Sequence, residues 1–256
     1  ASRGQTLVFL DADTRLLPGG LRRILAQHRR DGGLVSVWPY HRMVRLYERL
    51  SALFNVVVLA SMRCFTIWGR RLAPLGAFGP CVVCSREDYF AVGGHQQAQG
   101  AVLEDVALGQ AFRRAGREIH NYVGRGSIEF RMYPAGLGSL VEGFGKNVGA
   151  GAGLASPAVL VPLIGWITGC FIVSVWLPCA LAADLPARGA LGALYALHAL
   201  QIFWTLRRLG NYGAATALLF PGPLVFFAAV FFLSLTRTHL LGRVRWKGRD
   251  IHTEGR

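Results

Sequence analysis

Three long apolar runs, residues 157–183, 189–206 and 213–235, constrain this chain more than any other feature of it. A helix crossing a bilayer needs about 20 apolar residues, and no Asp, Glu, Lys or Arg interrupts any of the three. The first has room for tilt, the second is near the lower limit, and the third carries Phe226, Phe227, Phe231 and Phe232. None has the polar face that a core helix of a soluble domain turns to water. The sequence therefore predicts about three transmembrane helices within residues 156–236. Before them lies a polar domain, 1–155, and after them a basic tail, 237–256. The runs also explain why only 16% of the 256 residues are charged, against about 25% in ordinary domains.

The charges present are mostly positive. Nineteen Lys and Arg stand against eleven Asp and Glu up to residue 156, and nine against three beyond it. Such a surplus meets either nucleic acid or an anionic membrane. Dispersed arginines, long apolar runs and the lack of any nucleic-acid-binding motif exclude the first class and favour a multi-pass protein of the cell membrane. Arg207-Arg208 marks a cytoplasmic side, and so do Arg237, Arg243, Arg245, Lys247 and Arg249 in the tail. Three full spans cannot put both on one side. Either one segment is re-entrant, with Pro221-Gly222-Pro223 as its break, or the charge rule fails once.

The first 155 residues alternate strand and helix patterns, which indicates an α/β domain. Leu7–Leu10 and Leu34–Trp38 read as buried strands, separated by an amphipathic helix through Leu21, Ile24, Leu25 and His28. From Leu46 to Met62 the pattern gives an interfacial or a buried helix. Ala77–Cys84 reads as a strand, and Ser85 with Asp88 as the cap of the helix after it. A helix over 103–115, strands at 119–123 and 128–133, and a glycine-rich amphipathic helix with Leu137, Leu140, Val141, Phe144 and Val148 follow. Cys81 and Cys84, spaced C-x-x-C within a strand, fit core packing better than redox or zinc chemistry. The chain starts abruptly at Ala1 and enters a strand at once, the pattern of a fragment.

Acidic residues offer the first candidate chemistry. Asp11 and Asp13 follow a buried strand, where open α/β sheets bind ligands. Their hard oxygens suit Mg²⁺ or Mn²⁺ bridging to phosphates, though such pairs also occur in solvated turns. Glu104-Asp105 opens a helix, where acids complement the dipole. The same pair fits a general base or a group that places an acceptor. His95, after Gly93-Gly94, is a loop residue able to approach a ligand. His41 and Arg42 either meet a phosphate or solvate a turn.

The ordered series Phe9-Leu-Asp-Ala-Asp13, Pro39-Tyr-His41, Tyr47-Glu48, Ser51-Ala52 and Phe54-Asn55 resembles family 2 glycosyltransferases with a GT-A fold. Gly76-Ala-Phe-Gly-Pro80, Glu87-Asp-Tyr89, Gly93-Gly-His95, Phe130-Arg-Met-Tyr133 and Val244-Arg-Trp-Lys-Gly-Arg249 are similar to one subgroup, the 4,4'-diaponeurosporenoate glycosyltransferases of carotenoid pathways. The resemblance implies the C-terminal part of a GT-A (Rossmann-like) domain on the cytoplasmic face, without its nucleotide-binding first strands. It implies inverting transfer of glucose from UDP-glucose to the carboxylate of a carotenoid acid. By carry-over, Asp11 and Asp13 hold metal and diphosphate, and Asp105 is the catalytic base with Glu104 as alternative. His95 and His41 are, on their own residue types and positions, the candidates for the acceptor side. Processive relatives carry Gln-x-x-Arg-Trp where this chain has Glu142-Gly-Phe-Gly-Lys-Asn147, which argues for a single transfer. Polyprenyl phosphate, hopanoid or ceramide are the alternative acceptors, and an inactive membrane remnant is the alternative of another class.

Overall fold

The computed structural model describes residues 3–64, 72–98, 103–152, 156–241, 243–246 and 249–252, with side chains left undescribed at 146–152 and 237–252. In chain order, β1 (Thr6–Leu10), β2 (Thr14–Leu16), α1 (Gly20–Asp31), β3 (Leu34–Trp38) and β4 (Tyr40–His41) come first. A 3-10 turn, Leu46–Ser51, runs into α2 (Ala52–Ser61), and then come β5 (Cys81–Ser85), α3 (Arg86–Ala91) and a 3-10 segment, Gly94–Ala98. Next are α4 (Glu104–Arg114), β6 (Ile119–Val123), β7 (Ile128–Phe130) and α5 (Leu137–Ala152). The chain continues with α6 (Pro157–Ala182), α7 (Arg188–Leu209), α8 (Ala214–Leu218), α9 (Pro221–Leu241), and a hairpin of β8 (Arg243–Trp246) and β9 (Arg249–His252). Internal packing divides the chain into two units. One holds Ala1–Arg42, Met62–Met132 and Arg208–Gly210; the other holds Met43–Ser61, Tyr133–Arg207 and Asn211–Arg256.

The first unit is built on a four-stranded sheet of order β1-β5-β3-β6. β5 runs antiparallel to β1 and β3, while β3 and β6 are parallel. The carboxyl ends of β1, β3 and β6 therefore share one edge of the sheet. The inner strands β3 and β5 are apolar on both faces, as strands covered on both sides must be. On one face Leu34, Val82, Cys84, Ile119 and Leu7 pack with Leu108 and Phe112 of α4. On the other, Val35, Val37, Cys81, Val83 and Ile128 pack with Ile24 of α1. Cys81 and Cys84 are thus core residues, and burial pushes both thiols up to about 12. A small sheet of order β2-β7-β4 lies beyond the strand ends. Its two- and three-residue strands β4 and β2 carry no pattern long enough to read from sequence.

The second unit is helical. Phe54 of α2 is fully buried and stacks on Phe144 of α5, with centroids 4.1 Å apart and Phe227 of α9 at 4.9 Å. Such aromatic pairs add about 0.5–1.5 kcal/mol each beyond their buried area. Within the expected helix from Leu46 to Met62, α2 is therefore a buried helix, while Leu46 at the start of the 3-10 turn is exposed. Buried Tyr212 accepts a hydrogen bond from Asn55 Nδ2 (2.5 Å) and lies 3.1 Å from Ser51 Oγ, tying the start of α2 to the segment between α7 and α8.

Among the described residues, two helices have the length and composition to cross a membrane, Pro157–Ala182 and Arg188–Leu209. Only 11% and 17% of their apolar windows are buried, which a core helix of a soluble protein would not allow. The third run departs from expectation. It divides into α8 and α9, because α8 ends at Leu218 and Pro221 opens a new helix. Proline lacks the N–H that would continue the first helix but suits the start of the next. α9 runs Pro221–Leu241, and its apolar stretch among the described residues is Pro221–Thr236. Of the tail, Lys247, Gly248 and 253–256 lie outside the described residues.

Candidate active site

The site forms where β1 ends. Register pairs Leu10 with Cys81, so the next residue, Asp11, donates its backbone N–H to the Pro80 carbonyl at 3.0 Å. Thr14 closes the acidic turn by donating its N–H and its hydroxyl to the Asp11 carbonyl, at 3.1 and 2.7 Å. Asp11 and Asp13 stand exposed beyond the strand. Partial burial and the neighbouring Asp13 charge raise the Asp11 carboxyl above its ordinary range.

Opposite the turn, the segment before β5 is held from three sides. Ser36, fully buried on β3, donates its hydroxyl to the Phe78 carbonyl at 2.9 Å and accepts the Phe78 N–H at 2.6 Å. Asn121 of β6 donates to the Gly76 carbonyl at 2.9 Å. Helix α4 packs backbone to backbone here: a Cβ on Gly109 would come within 2.5 Å of Ala77 N. That contact sets the first turn of α4 over Gly79, where a Cβ would overlap the Asp105 carboxylate. Gly79 is thus the space that Asp105 occupies.

Asp105 is half-buried while Glu104 beside it is exposed. The Asp105 carboxyl is raised first by burial, then by the Asp11 charge; His95 opposes this and Glu104 adds to it. Asp11, Asp13, Asp105 and His95 are therefore brought together. His95 lies on the 3-10 segment, with Nδ1 2.8 Å from the Tyr89 hydroxyl of α3. Phe9 of β1 packs against both rings, at 5.1 Å from Tyr89 and 5.0 Å from His95. Helix α3 starts as the sequence predicts, with Ser85 Oγ accepting the Asp88 N–H at 2.9 Å.

His41 is placed differently. It is fully buried on β4, with Nε2 accepting the Trp38 indole N–H at 2.7 Å and its ring edge-on to Phe130. Burial lowers it to about 3, so it is a neutral core residue and offers no exposed edge to an acceptor. Arg42 beside it is exposed and pairs with Glu129 at 3.5 Å.

Among the described residues no group of three or more His, Cys, Asp or Glu could hold a metal unaided. The two carboxylates of the acidic turn do fit an ion shared with a phosphate ligand, since Mg²⁺ takes one or two protein carboxylates in such sites. Their mutual repulsion is what a cation would relieve. Gly79, Phe9 and Tyr89 escaped sequence reading as site residues. All three sit inside the segments that carry the family resemblance, Phe9 at the head of Phe9-Leu-Asp-Ala-Asp13.

No family model matches the chain. The 4,4'-diaponeurosporenoate glycosyltransferases of Staphylococcus aureus strains USA300 and NCTC 8325 / PS 47 are each 33% identical to it over 247 residues, which is 95% of this chain and 66% of the relative. The protein of that name from strain MRSA252 is 32% identical over the same length. The chain thus spans just under two thirds of the length of these curated relatives. Over 95% of its length, the chain is similar to the 4,4'-diaponeurosporenoate glycosyltransferases.

Proposed function

We propose that this chain forms the metal and acceptor side of a membrane-associated family 2 glycosyltransferase of GT-A fold, facing the cytoplasm. It transfers glucose from UDP-glucose to the carboxylate of a carotenoid acid. The observation that carries the reading is the convergence of Asp11, Asp13 and Asp105 at one sheet edge, in a chain with two long apolar helices that are mostly unburied.

Asp11 and Asp13 would hold Mg²⁺ or Mn²⁺ together with the donor diphosphate; bound there, the ion neutralises charge on the leaving group. A carboxylate oxygen of the acceptor forms a bond to the anomeric carbon as the carbon–oxygen bond to UDP breaks. UDP departs with the electron pair, and the configuration inverts. No proton moves, because a carboxylic acid is already ionised at neutral pH. Asp105 then acts on the positive charge that develops at the sugar, and with His95 it places the acceptor. A hydroxyl acceptor, as in a hopanoid or ceramide, would instead need Asp105 to take its proton.

The test is transfer of radiolabelled glucose by membranes of cells expressing the protein, with a panel of carotenoid acid, polyprenyl phosphate, hopanoid and ceramide. Product from the acid alone, lost in Asp13→Asn, supports the reading. Product from polyprenyl phosphate alone sinks the carotenoid acceptor. Full activity in Asp13→Asn removes the acidic turn from the reaction.

A further inference from the structure

Tyr89 takes no part in the reaction as described, yet its hydroxyl is committed twice to one residue. Its oxygen accepts the backbone N–H of His95 at 3.2 Å and lies 2.8 Å from the Nδ1 of the same ring. A phenol carries one hydrogen. With the backbone N–H occupying one lone pair of the oxygen, that hydrogen is available to Nδ1. Pointed there, it makes Nδ1 an acceptor and places the proton of the neutral imidazole on Nε2. The Phe9 ring, tilted against Tyr89 and edge-on to His95, restricts rotation of both.

We propose that Tyr89 is a positioning residue that locks His95 in its Nε2–H tautomer, and that this N–H holds the carboxylate of an acid acceptor beside Asp105. The second half rests on the acid-acceptor reading above; the first half does not. The electrostatics call for such a donor. The carboxylate of Asp105 interacts with the His95 ring and also with the charges of Asp11 and Glu104, and an anionic acceptor entering beside these three acids needs a hydrogen to meet. A fixed N–H supplies it at any pH where the ring is neutral. A ring free to take the other tautomer would turn a lone pair toward the acceptor for part of the time.

The experiment has two independent readouts on detergent-solubilised protein. Two-bond ¹H–¹⁵N correlation on histidine-labelled protein identifies the tautomer of His95. The expected result is Nε2–H in the wild type and a shift toward mixed tautomers in Tyr89→Phe, which keeps the ring and loses only the hydroxyl. An Nδ1–H tautomer in the wild type, or an unchanged spectrum in Tyr89→Phe, overturns the lock. Kinetics test the role. Tyr89→Phe is expected to raise KM for the acid acceptor in inverse proportion to the fraction left in the Nε2–H tautomer, about twofold for an even mixture, with KM for UDP-glucose unchanged. His95→Gln, whose amide N–H₂ takes the place of Nε2–H, should keep the acceptor KM within about threefold and make Tyr89→Phe silent in the double variant. Equal effects of Tyr89→Phe in both backgrounds overturn the positioning role. A wild type that glucosylates no acid removes the acceptor half and leaves the tautomer result standing.

Discussion

Removing one hydroxyl from the floor of the site tests how the site is held together. Ser36 satisfies both the N–H and the carbonyl of Phe78 through one oxygen, in a place with no access to water. Ser36→Ala leaves two buried main-chain groups without partners. Each costs about 1–3 kcal/mol, reduced by whatever relaxation the segment allows. A loss of about 3 kcal/mol is expected, which shifts the opening equilibrium of the sheet about 100-fold. The assay uses thiols already in the core. Cys81 and Cys84 lie on the neighbouring strand, fully buried and pushed up to about 12, so a charged thiol reagent reaches them only after opening. In protein with Cys64, Cys170 and Cys179 replaced by Ala, Ser36→Ala should label about 100 times faster than its parent. A rise smaller than about threefold would mean that Phe78 finds other partners and that Ser36 does not hold the segment carrying Gly79.

Other consequences follow from the same geometry. Gly79→Ala should displace the Asp105 carboxylate, and transfer should fall about 100-fold, as misplacement by an ångström can cause, with little change in Cys81 and Cys84 labelling; undiminished transfer would separate Asp105 from the reaction. The folded-state values of Asp11 and Asp105 are raised, so the folded protein binds more protons than the unfolded one between the ordinary and the raised values. Stability is then lost as pH rises through that interval, and at pH 7 Asp105→Asn should open less often than the wild type while losing transfer; faster labelling in this variant would refute the repulsion. Mg²⁺ should slow labelling of the wild type by linkage and leave Asp11→Asn with Asp13→Asn unaffected. In a cysteine-free background, Ala187→Cys in the turn between α6 and α7 should react with an impermeant reagent added outside cells, and Arg207→Cys only after permeabilisation.

Much of the first unit was legible because its signals are local. A buried strand ending in Asp11-Ala-Asp13, a helix capped by Ser85, and inner strands too apolar to face water all have a period or a cap within ten residues. What sequence did not carry was direction and depth. Nothing in Cys81–Ser85 says that β5 runs against both of its neighbours, although that reversal puts Pro80 beside Asp11. His41 follows a Pro-Tyr turn and reads as exposed, yet the β4–β7 pairing takes it into the core against Trp38 and Phe130. Gly79 has no sequence signal of its own, because its role exists only when α4 docks 26 residues later in the chain.

The charge conflict in the membrane half has the same origin. Hydropathy registers an apolar run but not a break inside it, and 213–235 scored as a third span on composition alone. Pro221 ends one helix and opens another there, so that among the described residues α6 and α7 are the two helices with the length and composition to cross. A chain that crosses twice returns to the side from which it left, and Arg207-Arg208 and the basic tail would then lie on one side, as the positive-inside rule asks of both. A third crossing would part them, and the accessibility of cysteines placed at Ala187 and Arg207 distinguishes the two arrangements.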